Sequence, residues 1–161
     1  MFVEDLEQQH IDTAESIIQR ITPDASTAID LITNFRALVQ DKQQGEEGFV
    51  SVLDSVSEAC DWEATYYVDW KDTDSFVDCV STIARHWGCQ LAFSERRPEQ
   101  SVPDLIRIAH AELEASELGL WGWDTQGDNY SGWIGRLSDA SFFKQASDVL
   151  EVRIIAIGAD F

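Results

Sequence analysis

Two apolar, aromatic stretches stand on either side of a short polar segment: ELGLWGWD (117–124) and YSGWIGRL (130–137), parted by Thr125-Gln126-Gly127-Asp128-Asn129. Such a pair, joined by a five-residue loop containing glycine, predicts a β-hairpin, so the chain must build a sheet around it. On the first strand Trp121 and Trp123 share one face, with Leu118, Leu120 and Gly122 on the other, and Trp133 follows on the partner strand. Two of these three tryptophans are expected to be core beneath helices. The remainder makes the glycine-flanked hairpin, with acids at its tip, a candidate docking surface.

Helical periodicity surrounds the hairpin. Leu6, His10, Thr13, Ala14, Ile17 and Ile21 recur at helical spacing, and Thr22-Pro23 reads as a cap with proline at the first helical position. Ala25, Ala28, Ile32, Phe35 and Val39 then line a second helix, DKQQGEEG breaks it, and Phe49, Val52, Leu53, Val56 and Cys60 line a third. At Ala64 the character changes. ATYYVDW (64–70) reads as a strand, followed by a helix opened by Asp72 to Ser75, with Phe76, Val80, Ile83, Ala84 and Trp87 inside and Gly88 closing it. CQLAFS (89–94) reads as another strand. Ser101 with Asp104 starts a helix carrying Leu105, Ile108, Ala109 and Leu113, Ser138 caps one running to Leu150, and VRIIAIG (152–158) is the last strand. The expected fold is α+β: a four- or five-stranded mixed sheet with packed helices, preceded by an N-terminal helical segment. Residues 1–63 form that segment and 64–161 the α+β domain, together one compact unit.

Charge narrows the partners. Thirty acids oppose eleven bases, a formal net charge of −19, and the only lysines are Lys42, Lys71 and Lys144. Phosphate groups must be neutralised by Lys or Arg, so neither nucleic acid nor an anionic membrane is an expected partner. A field of this sign attracts a basic protein and speeds its association; in a high-salt cytoplasm it would serve solubility alone. Cys60, Cys79 and Cys89 are odd in number and form no C-x-x-C pair, which fits reduced thiols. With no signal-like start and no run approaching the roughly 20 apolar residues of a membrane span, the expected location is cytoplasmic.

Carboxylates collect at the ends of the aromatic strands, where Asp69, Asp72, Asp124 and Asp128 are hard oxygen donors of the kind Mg²⁺ or Ca²⁺ prefers. Neither segment has the ligand spacing of an EF-hand, and Asp and Asn favour helix caps and turns for their own reasons, the stronger explanation here. His110 lacks the second histidine of H-E-x-x-H, no G-x-S-x-G or phosphate-binding loop occurs, and His10 and His86 fit a helix boundary and a last helical turn. No catalytic residue, metal ligand or cofactor is therefore assigned.

The segments YYVDWKDTDSFVDCV and GLWGWDTQGDNYSGWI resemble two landmarks of a small bacterial family without assigned activity. In that family an Asp-Trp-Lys strand end precedes a helix, and an Asp-Thr-x-x-Asp-x-Tyr turn joins two strands. The resemblance spans roughly residues 64–158 and leaves the N-terminal helices outside it. In character the chain is also similar to immunity proteins that neutralise a cognate toxin. The expected function is thus that of an acidic, immunity- or antitoxin-like binding protein that covers a basic toxin or effector domain. Asp69, Asp72, Asp74, Asp124 and Asp128 would meet its bases, and Trp70, Trp123 and Tyr130 would anchor it. A metal-dependent hydrolase using the same aspartates is the alternative, as is a domain whose acidity serves only solubility.

Overall fold

The computed structural model describes residues 8–44, 52–125 and 127–156, and the α+β class expected from the sequence is the one observed. Three helices come first: α1 (Gln8–Ile21), α2 (Ala25–Gln44) and α3 (Val52–Ala64). Then β1 (Thr65–Asp69), α4 (Thr73–His86) and α5 (Val102–Glu114) precede the hairpin of β2 (Leu118–Trp123) and β3 (Asn129–Arg136). A 3₁₀ turn at Leu137–Asp139 leads into α6 (Ala140–Leu150) and β4 (Ile154–Ala156). Leu6, Phe49, Gln126 and the end of the last expected strand lie outside the described residues.

The sheet order is β1-β3-β2-β4, and each neighbouring pair is antiparallel, not mixed. Trp121 sits opposite Trp133, as the hairpin pattern requires. Gly132 faces Gly122 on one side and Tyr66 on the other; a Cβ there would collide with the Trp121 carbonyl oxygen, so only glycine lets these strands meet.

Alternation along the strands feeds two cores. One face sends Trp121, Trp123 and Trp133 into a core with Ile17, Phe35, Leu53 and Phe143 from α1, α2, α3 and α6. Phe143 is its pivot, with ring centroids 4.8 Å from Trp121 and 5.7 Å from Trp133. The other face sends Tyr66, Val68, Leu118, Leu120 and Ile134 toward α4 and α5. Here Tyr66 meets Phe76 edge to face at 5.4 Å. Each fully buried Leu or Phe in these layers contributes roughly 1.5–3 kcal/mol relative to exposure. The N-terminal helices therefore pack on the sheet and complete its tryptophan face.

Several local expectations change. CQLAFS forms no strand: Ala92 N–H is taken by the Glu112 carboxylate at 2.7 Å, and Phe93 adopts φ 49°, which an extended strand cannot accommodate. Asp24, not Thr22, caps α2 by accepting the Thr27 N–H at 2.8 Å. At the C-terminal end of the chain, α6 starts after the 3₁₀ turn and not at Ser138. The remaining caps follow the sequence. Asp72 accepts the Ser75 N–H at 3.2 Å, Asp104 accepts the Ser101 N–H at 3.0 Å, and Gly88 ends α4 at φ 77°. One feature has no glycine or proline to announce it. Asp61, inside α3, takes φ 38° and ψ −144°, breaking the helix between buried Cys60 and exposed Trp62.

Candidate functional site

Pairing of β1 with β3 brings the two acidic segments to one end of the sheet. Asp69 lies opposite Asn129, and the Trp70 N–H donates to the Asp128 carbonyl at 3.0 Å, extending the ladder into the hairpin turn. The Trp70 carbonyl accepts the Val102 N–H at 3.1 Å, so the backbone at Trp70 is held between the turn and the start of α5. Thr125 closes the turn by donating to the Asn129 carbonyl at 2.9 Å. Hydrogen-bonded backbone thus presents this rim.

The side chains assigned to it fare differently. Asp69, Asp72, Asp124 and Asp128 are exposed, and Trp70 is 41 % exposed with the Lys71 ammonium 5.1 Å from its ring. Asp69 and Asp72 also have local work: Asp69 accepts the Lys71 N–H at 3.0 Å, and Asp72 caps α4. Asp74 is exposed but paired with Arg96 at 2.6 Å. Tyr130 is half-buried against the α4–α5 core. Trp123 is only 8 % exposed and belongs to the tryptophan core, so it offers no surface to a partner. The helices covering that face were the part the hairpin alone could not reveal.

A second group of residues adjoins the rim. Along β1 burial alternates, with Tyr66 and Val68 inside and Tyr67 and Asp69 outside. Tyr67 is 48 % exposed, and its hydroxyl accepts the Asn129 amide N–H at 3.0 Å. Beside it a shallow recess of about 360 Å³ is lined by Asp54, Ser57, Glu58, Asp61, Trp62 and Tyr67. Trp62 is 44 % exposed, so among the described residues three of the four exposed large apolar side chains stand on or beside β1; the fourth, Ile29, is on α2. Burial pushes the Asp54 carboxyl above its ordinary value, against the pull of Lys42, whose ammonium is bonded to Glu58 at 2.9 Å. Its charge is therefore uncomfortable in the free protein, and a cation placed in the recess would ease it.

Exposed aromatic rings among carboxylates suit Lys or Arg side chains, which gain both ion pairing and a ring face to lie on. They suit a metal less well. Among the described residues, no three His, Cys, Asp or Glu side chains are arranged to hold an ion. Cys60 and Cys79 are buried, and desolvation pushes each thiol up to about 12, keeping both protonated and unreactive. The histidines are engaged in structure: His10 with the Val149 carbonyl at 3.1 Å, His86 with the Glu63 carbonyl at 3.1 Å, and His110 with the Leu120 N–H at 3.1 Å. Among the described residues no helix is long and apolar enough to cross a membrane.

The β1 residues of this recess were open to sequence reasoning. Strict alternation in T-Y-Y-V-D places Tyr67 opposite Tyr66 and Val68. The α3 residues Asp54, Ser57, Glu58 and Asp61 stand three or four apart, the spacing of one helix face; what the sequence does not show is that this face meets β1 beside Tyr67.

The chain belongs to the family described as a domain of unknown function (DUF6630), which it matches over residues 13–157. The match starts within α1, so the N-terminal helices, outside the resemblance seen at residues 64–158, are part of the family domain. No curated protein and no solved structure matches the chain.

Proposed function

We propose that this protein is a non-catalytic, acidic binding protein of the cytoplasm, immunity- or antitoxin-like in action, that covers a basic surface of a toxin or effector domain. One observation carries the reading: Trp62 and Tyr67 are exposed at a recess lined by Asp54 and Asp61, and Trp70 is exposed at the end of the same strand, flanked in the chain by the exposed Asp69 and Asp72. Tryptophan and tyrosine bury large area at little entropic cost and dominate binding hot spots. Carboxylates around them set the sign of the partner, and the net charge of −19 extends that preference to long range. Asp124 and Asp128 add to the rim at the hairpin tip; Trp123 does not take part.

The test is retention of a partner from lysate of the source cells on the immobilised protein, at low and at high salt. A single basic protein should be held stoichiometrically and released as salt rises. The Asp69→Asn/Asp128→Asn variant should associate several-fold more slowly and with a flatter salt dependence. Retention of nothing, or association indifferent to both salt and these substitutions, overturns the reading and leaves the acidity as a solubility device.

A further inference from the structure

We propose that the outer edge of β1 receives an extended, basic segment of the partner as an added strand, centred on Tyr67, with a Lys or Arg side chain entering the recess between Trp62 and Tyr67. This rests on the basic-partner reading above and names how that partner is held.

The geometry begins with the ladder. Because the Trp70 N–H bonds to Asp128, the alternation of an antiparallel pair turns Tyr66, Val68 and Trp70 toward β3 and Thr65, Tyr67 and Asp69 outward. The outward carbonyl of Thr65 accepts the Cys79 thiol at 3.6 Å, and that of Asp69 accepts the Asp72 N–H at 3.0 Å. Among the described residues nothing takes the outward N–H and C=O of Tyr67. Both groups of one residue are what a neighbouring strand needs to form a hydrogen-bonded pair.

Such an edge is ordinarily guarded by a lysine, a proline, a bulge or a covering side chain. Residues 65–70 hold neither lysine nor proline, and the register with β3 runs without a bulge. Charge selects the occupant. A second copy pairing edge to edge would set Asp69 and the recess carboxylates against their own kind, at −19 on each chain. A basic strand meets the same residues as counterions. On the recess side, alternate residues of the added strand would point at Tyr67 and the acids of α3, which specifies a cationic residue there.

A short capped peptide alternating arginine and valine is the probe, followed by amide NMR on the full chain. The expected result is slowed exchange of the Tyr67 N–H on binding. Methylation of the peptide nitrogens that face β1 should weaken it about tenfold, the worth of one or two hydrogen bonds. Tyr67→Pro, which removes the outward N–H, should weaken binding beyond Tyr67→Ala, which removes only the ring; a thermal melt confirms that each variant is folded. Unchanged Tyr67 exchange, or equal affinity for the methylated peptide, overturns strand addition. The basic-partner reading is judged separately by salt-sensitive retention from lysate, which needs neither the peptide nor the Tyr67 N–H.

Discussion

The two edges of the sheet are finished in opposite ways. At the β4 edge, Ser147 of α6 accepts the Ile154 N–H at 2.9 Å and reaches the Ile154 carbonyl at 3.3 Å, standing in for a missing strand. Further along, buried His110 of α5 accepts the Leu120 N–H at 3.1 Å through Nδ1, while its Nε2 lies 3.2 Å from Glu114. Helices have spent polar side chains to close this border. At β1, among the described residues, the Cys79 thiol closes Thr65 and the Asp72 N–H closes Asp69, and between them the border carries the exposed Tyr67 with nothing on its outward backbone groups. An unguarded edge invites aggregation, and under the strand-addition proposal the negative charge beside it would select which chain pairs there.

The largest contrast should come from two tryptophans. Trp121→Ala, which empties the core next to the sealed edge, is expected to cost about 3–5 kcal/mol in urea denaturation. Trp70→Ala at the open edge should cost at most about 1 kcal/mol, because its ring is already partly in water. Equal losses would make the open edge a structural element and end the contrast.

Alkali should reach the Cys79 seal next. Folding raises the Cys79 thiol from an ordinary value of 9.0 to about 12, chiefly by desolvation, and Cys60 behaves alike. A group raised on folding contributes stability that is intact below its unfolded value, and this is lost as pH climbs through the folded one. Stability should therefore fall between pH 9 and 12 by on the order of a few kcal/mol, and less in a Cys79→Ala variant. A flat profile in that window would remove the thiols from the account.

On the sealed side, His110→Ala strands a buried N–H and should cost about 1–3 kcal/mol. If it proves neutral, the border at Leu120 is closed by something other than the imidazole. The smallest effect is a gain. Asp61→Gly relieves a left-handed backbone that a Cβ disfavours, and should stabilise the fold by about 0.5–1 kcal/mol while reducing affinity for a basic partner. A loss of stability instead would show that the Asp61 carboxylate outweighs the strain.

Local signals in the chain translate faithfully where they answer to local physics. The hairpin, the Asp72 and Asp104 caps and the Gly88 stop depend on nearest neighbours, and each is where the pattern puts it. Leu91 and Phe93 looked like strand residues for the same reasons, yet a carboxylate from α5 claims the intervening N–H and turns the segment into a loop. Trp123 failed as an anchor because alternation tells which residues share a face, not which face helices will cover. The meeting of Asp69 with the hairpin turn follows from β1 pairing with β3, a strand order that local patterns do not specify, and the recess likewise depends on which face of α3 lies beside β1.

The division of the tryptophans also gives the molecule an optical signature. Trp121, Trp123 and Trp133 are shielded, Trp87 lies under Arg136 at 4.9 Å, and Trp62 and Trp70 stand in the open among anions. Collisional quenchers carry charge as well as size. Caesium is drawn to the ground around Trp62 and Trp70 and iodide is repelled from it, while neither reaches the indoles behind Phe143. Emission thus separates by electrical surroundings as well as by depth. Were a cationic chain to settle on β1 as proposed, it should displace the caesium and return light from the border indoles, with the interior ones unchanged until the protein unfolds.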